Sequence, residues 1–262
     1  MAGGLWWVVR SGALALDARQ VVSTVEVGWA PAGVRGEERR RERRLDPHLT
    51  AQTRRRGWFR PWSLSGGKRI CDLVGGGCAL LALSPLMLLI AVAIELDSPG
   101  PVLFRQRRTG LAGRRFPMLK FRTMVNGAEG QKEALRALNH HGPSSPDFKI
   151  RRDPRVTRVG RVLRRTSLDE LPNLFNVMKG EMSMVGPRPT SFGIEVYKDE
   201  HLARLVVPPG VTGLWQVSGR SEIDFDDRVK LDCRYIREQS PLLDAKILML
   251  TAVRVLDGRG AC

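Results

Sequence analysis

A chain of 262 residues, 42% of them hydrophobic, can build one sizeable core with appendages. Its net charge of +16 directs attention to anionic partners: lipid headgroups, phosphorylated substrates or nucleic acid. The four cysteines, Cys71, Cys78, Cys233 and Cys262, make no C-x-x-C pair and have no histidine at zinc-ligand spacing. They read as reduced thiols of a cytosol-facing protein rather than a disulfide framework or zinc site.

In chain order, residues 1–60 carry twelve Arg against six acidic residues and show no sustained period. "RGEERRRERR" and "TRRRGWFRPW" read either as a disordered, Arg-rich approach to a membrane or as a plain solvated tail. A start placed too far upstream is a further reading. The opening "MAGGLWWVVRSGALAL" lacks the basic region of a signal peptide. Residues 61–98 form the next unit, a membrane segment with its flank. Residues 99–256 form a cytosolic domain, and residues 257–262 a tail.

The run "LVGGGCALLALSPLMLLIAVAIEL", Leu73 to Leu96, is long enough to cross a bilayer. Its flanks argue against crossing. Basic residues cluster before it (Arg54 to Arg69) and after it (Arg105 to Arg122), and such residues favour the cytoplasmic side. Pro85 deprives the Leu81 carbonyl of its helical partner, and Ser84 can help satisfy that carbonyl. A break at Ser84-Pro85 predicts a re-entrant helix with both flanks facing anionic headgroups. A kinked crossing helix is the plainer alternative.

Beyond it, "DSPGPVLFRQ" and "FPMLKFRTM" predict turns and strands. "AEGQKEALRAL" predicts a helix ending in the loop "NHHGPSSPD". "VTRVGRVLRRTSLDELPNLFNVMKGE" predicts two helical stretches joined near Thr166-Ser167. "PPGVTGLWQVSGR" reads as extended, and "DFDDRVKLDCRYIREQ" as a helix. "SPLLDAKILMLTAVRVL" predicts a final helix capped by Ser240, lying either in the core or in the membrane interface. The fold class expected is α+β, mostly helical, with short strands.

The most chemically suggestive feature is Asp169-Glu170, preceded by Arg161, Arg164 and Arg165. Ser167 or Asp169 could simply cap a helix there, with Pro172 in its first turn. The functional reading uses the same geometry. A helix start beside arginines attracts phosphate, and an ionised carboxylate held there can attack phosphorus. Two carboxylates beside a phosphate call for a divalent cation, and Mg²⁺ takes one or two carboxylates plus phosphate oxygens. Further phosphate-reading candidates are Arg188, stiffened between Pro187 and Pro189, and Lys120 with Arg122 as a two-residue grip on one strand. Arg220 after a glycine is another, as are Asp153 and Arg155 at a turn. Each could equally be a solvated surface residue.

Three motif blocks together resemble the bacterial sugar transferase family, the monotopic phosphoglycosyl transferases. They are "KRICDLVGG…SP…SPGPVLFRQRRTG…MLKFRTM", "DPRVTRVGRVLRRTSLDELPNLFNVMKGEMSMVGPRP" and "PGVTGLWQVSGR…LD". The match runs in order over about residues 66–256, in the manner of the short catalytic form without additional N-terminal spans. The resemblance implies a re-entrant helix broken at Ser84-Pro85. It implies transfer of a sugar-1-phosphate from a nucleotide sugar, usually a UDP-sugar, to polyprenyl phosphate with Mg²⁺. It makes Asp169 the nucleophile, with UMP as leaving group, and places Glu170 at the metal. Pro187-Arg188-Pro189 would help bind the nucleotide sugar, and Arg220 matches a basic active-site position; Lys120 and Arg122 carry over less directly. The location implied is the cytosolic face of a bacterial inner membrane, among membrane lipids and without a nucleic-acid partner. The rival from another class is a non-enzymatic, membrane-tethered protein that binds anionic lipid or RNA; it predicts steep salt dependence and no need for Asp169.

Overall fold

The computed structural model describes residues 62–131, 133–139, 150, 153–218 and 224–257. The expected extension at 1–60, the loop at 140–149, Arg220 and the last residues from 258 lie outside them.

A long helix, α1 (Gly66–Asp97), opens the described chain. The Ser65 hydroxyl accepts from the Lys68 backbone N–H and caps it. The helix stays helical through Pro85, so the expected interruption is not a gap in the backbone. The Ser84 hydroxyl donates to the Leu81 carbonyl at 2.9 Å, the acceptor that proline leaves without a partner. Among the described residues this is the one helix long and apolar enough to cross a membrane. Its middle is bare: Leu81, Leu88 and Leu89 are each about two-thirds exposed or more.

Both ends of α1 are held by the same body. Near the start, Arg69 donates to the carbonyls of Val177 and Met178, and Asp72 accepts from the Met184 N–H at 3.0 Å. Lys68, almost wholly buried, lies 2.9 Å from Asp72 and 3.0 Å from Asp244. Asp244 also accepts from the Trp62 indole and the Tyr235 hydroxyl, at 2.8 Å each. Such a buried charge cluster is tolerable because the cation and both carboxylates are paired with one another and further hydrogen bonded. Near the other end, Ile90 and Ile94 pack with Phe121 and Leu163, and Asp97 accepts from the Val159 N–H at 2.9 Å.

The body begins with an antiparallel hairpin, β1 (Leu103–Thr109) and β2 (Arg115–Phe121), in which Leu103 faces Phe121 and Phe104 faces Lys120. The helix expected over "AEGQKEALRAL" is instead a set of turns with a short 3-10 helix at Arg136–Leu138. Gly127 immediately precedes that stretch and Gly130 falls inside its first turn, and the backbone closes i→i+3 bonds there. Then come α2 (Arg158–Thr166), a 3-10 turn at Leu168–Glu170, and α3 (Asn173–Lys179). Gly160 lets α2 approach Thr123 closely, since a Cβ there would sit 2.1 Å from the Thr123 carbonyl oxygen.

Strands β3 (Ser183–Val185) and β4 (Gly210–Thr212) pair in parallel. "LWQVS" turns helical where extended chain was expected: α4 (Leu214–Ser218) follows Gly213 and buries Val217, with Leu214 packed beside it. Helices α5 (Phe225–Glu238) and α6 (Pro241–Asp257) close the body. The final helix packs one face on the core, as one of its two sequence readings expected, and leaves the opposite face exposed. Ile247 and Asp244 are buried against the core, while Leu242, Met249 and Val253 point outward and are exposed.

Candidate active site

Helix α2 ends because Ser167 enters the left-handed region (φ 58°), its N–H reaching the carbonyls of Leu163 and Arg164. Neither Ser167 nor Asp169 caps α3, contrary to the sequence expectation: Pro172 occupies the N-cap position, and the dyad sits on the intervening 3-10 turn. Leu168 and Leu171, which flank the dyad, pack into the cluster around Phe121. Ser167→Val is expected to lower stability by about 1–3 kcal/mol, because a β-branched residue resists positive φ. Ser167→Gly is expected to keep both stability and turnover. Thermal unfolding in detergent, read beside an activity assay, checks both.

The cationic wall comes from two other elements. Asn176 on α3 is fully buried; its amide donates to the Pro117 carbonyl (2.8 Å) and its oxygen accepts from the Leu119 N–H (3.0 Å). This clamps the hairpin edge to α3 and brings Lys120 to the dyad. Lys120 Nζ lies 2.8 Å from Glu170 Oε1 and 3.9 Å from Asp169 Oδ2. Arg188, in the turn after β3, donates to both Glu170 oxygens, with Nη1 2.7 Å from Oε2. Its turn is fixed from three sides. Arg108 donates to the Pro189 carbonyl, Arg204 donates to the Arg188 carbonyl, and Thr109 pairs with Thr190. Arg204 Nη2 is 2.6 Å from Asp232, both almost wholly buried.

These surroundings split the two carboxylates. Burial pushes the Asp169 carboxyl above its ordinary range, and the Glu170 charge adds to that against Lys120, Arg188 and Arg164. Burial acts on Glu170 in the same sense, but the charges and hydrogen bonds of Arg188 and Lys120 override it and hold that carboxyl far below the usual range. Burial pulls the Lys120 ammonium down, with Glu170 opposing. Asp169 is therefore the carboxylate without a firm hydrogen-bonded cation, facing three cations at longer range. Among the described residues no group of three or more His, Cys, Asp and Glu is poised for a metal. A cation here would take Asp169 oxygen plus oxygens of a bound ligand. Glu170 would join only on release from Arg188.

Not every residue expected at the site is there. Arg122 is buried elsewhere, donating to the Ser98 and Pro99 carbonyls at the end of α1, so it makes no joint grip with Lys120. The reason is that β2 ends at Phe121, before the alternation reaches Arg122. Arg165 is exposed on α2, whereas its neighbour Arg164 bonds the Thr123 hydroxyl and faces Asp169. Asp153 and Arg155 pair with each other at 2.6 Å. Pro187 and Pro189 are buried beside Arg188.

Arg108, Arg204 and Asp232 escape a sequence reading because each acts through tertiary contact. Burial pushes the Asp232 carboxyl up to about 6, against the pull of Arg204. Removing one partner of such a pair strands the other, so Arg204→Met is expected to cost about 3–5 kcal/mol in chemical denaturation.

The sequence profile described as "Bacterial sugar transferase" matches residues 64–258. The chain is 44% identical over 200 residues to the "Undecaprenyl-phosphate galactose phosphotransferase" of Salmonella typhimurium, covering 74% of this chain and 41% of that one. It is 46% identical over 206 residues to the "Undecaprenyl-phosphate glucose phosphotransferase" of Komagataeibacter xylinus, covering 74% and 36%. With the "Exopolysaccharide production protein ExoY" of Rhizobium meliloti it shares 40% identity over 197 residues, covering 74% and 87%. The first two relatives are matched over less than half of their own length.

Proposed function

The chain belongs to the bacterial sugar transferase family, and from that premise we propose that it transfers a sugar-1-phosphate from a UDP-sugar to polyprenyl phosphate. The observation that carries the proposal is one largely buried carboxylate, Asp169, set among Lys120, Arg188 and Arg164 beside a second carboxylate already neutralised by two of them.

In the first step an Asp169 oxygen forms a bond to the phosphorus nearer the sugar. The bond from that phosphorus to the UMP oxygen breaks, and UMP leaves with the electron pair. In the second, an oxygen of the lipid phosphate attacks the same phosphorus and Asp169 departs as carboxylate. Arg188, its turn fixed by Arg204 and Arg108, is placed to hold the donor's phosphates, and Lys120 shields the repulsion between incoming phosphate and dyad. Mg²⁺, when bound, would be held by Asp169 and, once released from Arg188, by Glu170, and would supply charge neutralisation for the reacting phosphate.

The membrane geometry proposed with it is re-entrant, on the cytosolic face of the inner membrane. Its support is that α1, about 48 Å if straight, has both ends bonded to one body while its middle is bare. A helix that crossed would leave its ends on opposite sides of about 30 Å of hydrocarbon.

The test is UMP release from the purified chain in detergent, with a panel of UDP-sugars, undecaprenyl phosphate and Mg²⁺. One donor should give turnover dependent on both lipid and metal. No release with any donor would refute the reading.

A further inference from the structure

Close behind the dyad in the chain, Asn173 is wholly buried. Among the described residues neither its amide nitrogen nor its amide oxygen has a hydrogen-bond partner. Buried amides are as a rule bonded, and an unpaired one costs stability, so this side chain calls for a reason.

The backbone sets where it stands. Leu171 (φ −53°, ψ −36°) and Pro172 (φ −63°, ψ −14°) are both right-handed helical, so the 3-10 turn of the dyad runs into α3 without a break. Bonds through this run span three residues: the N–H groups of Leu171, Leu174 and Phe175 reach the carbonyls of Leu168, Leu171 and Pro172. Residues three apart therefore stand one above another. Glu170, Asn173 and Asn176 form such a row. Both ends of the row bond β2, Asn176 at Pro117 and Leu119, and Glu170 at Lys120. Asn173 stands between them, one turn from the Glu170 carboxylate.

Two demands meet on Arg188. In the free chain its fork is closed on Glu170. In the functional reading above it holds the donor's phosphates. When it turns to them, Glu170 keeps only Lys120, and a largely buried carboxylate is costly to strand.

We propose that Asn173 is a positioning residue for this exchange: its amide takes up Glu170 as Arg188 turns to the donor, and so keeps the dyad aligned during loading. The proposal rests on the functional reading for the part played by Arg188. It gives the unpaired amide a partner in the loaded state that it lacks in the free one.

The first measurement needs no donor. Thermal unfolding of the full chain in nanodiscs compares Asn173→Ala, Arg188→Met and the double variant. With Arg188 removed, Glu170 already leans on Asn173, so the double variant should unfold about 3–10 °C below the sum of the single effects. Packing lost at position 173 cancels in that cycle. The second measurement is calorimetric affinity for UDP with Mg²⁺. It should weaken about tenfold or more in both Asn173→Ala and Asn173→Leu, and recover in part in Asn173→Gln, which keeps an amide.

A purely structural asparagine predicts an additive cycle and unchanged UDP affinity, and either result would overturn the proposal. If Arg188→Met does not fold, the UDP series decides alone. No UDP binding by the unsubstituted chain would instead refute the functional reading, while the cycle would still report the contact between Asn173 and Glu170.

Discussion

Asp169→Asn should abolish UMP release and the phosphosugar adduct together, lowering turnover by about 10⁴-fold or more. The substitution keeps shape and volume but removes the electron pair that would bond phosphorus. Stability should hold or rise, because Asp169 is a largely buried carboxylate pushed toward its neutral form by desolvation and by Glu170. A folded, thermally sound protein without adduct is the expected pairing, read by intact-protein mass spectrometry after incubation with donor. A binding protein that merely attracts anions would behave otherwise: losing one negative charge beside Lys120 and Arg188 would tighten its hold on phosphate.

The second large effect is expected at Glu170, and its sign differs from a simple loss. Both Glu170 oxygens are occupied by Arg188 and Lys120. Glu170→Gln removes the charge that orders these cations, so turnover should fall by about 10²–10³-fold. The same change removes a negative neighbour that raises Asp169, and leaves Lys120 and Arg188 to lower it. The acid limb of the first half-reaction reports loss of the Asp169 carboxylate on protonation. With Asp169 lowered, that carboxylate persists to lower pH, so the limb should shift in the acid direction. A pH series of single-turnover loading, wild type against variant, decides it. A shift toward alkaline pH would mean that Glu170 does not act on Asp169 through charge. A raised Mg²⁺ requirement would show that Glu170 also reaches the ion during turnover.

What the sequence made legible followed from local rules. Alternation in "LFRQ" and "MLKF" announced two strands, whose pairing as a hairpin the sequence did not state, Ser240-Pro241 announced the start of α6, and the run Leu73 to Leu96 announced a long apolar helix. Asp169-Glu170 stood out because acidic residues are rare in so basic a stretch. The missed features were decided by tertiary contact. Arg164 rather than Arg165 faces the dyad because α2 ends at Ser167 in a left-handed turn. The exact rotational position of an arginine near a helix terminus is invisible to periodicity. Arg122 went to the carbonyls at the end of α1 for the same kind of reason: those carbonyls have no helical partner and are satisfied by the first donor in reach. Arg204 and Asp232 lie far apart along the chain and become a unit only after folding.

The knot of Lys68, Asp72 and Asp244 also orders events during synthesis. Trp62, beside the start of α1, waits for a partner 182 positions later in the chain. At about 5–20 residues per second that delay is roughly 10–40 s. For most of it the apolar stretch has been made, yet its dock does not exist. On the membrane geometry proposed above, the bilayer shelters it in the interval, and insertion precedes completion of the catalytic body. The final helix then acts as a latch that closes on a segment already in place, and ribosomes stalled before residue 244 should carry a chain that is membrane-bound but incompletely folded.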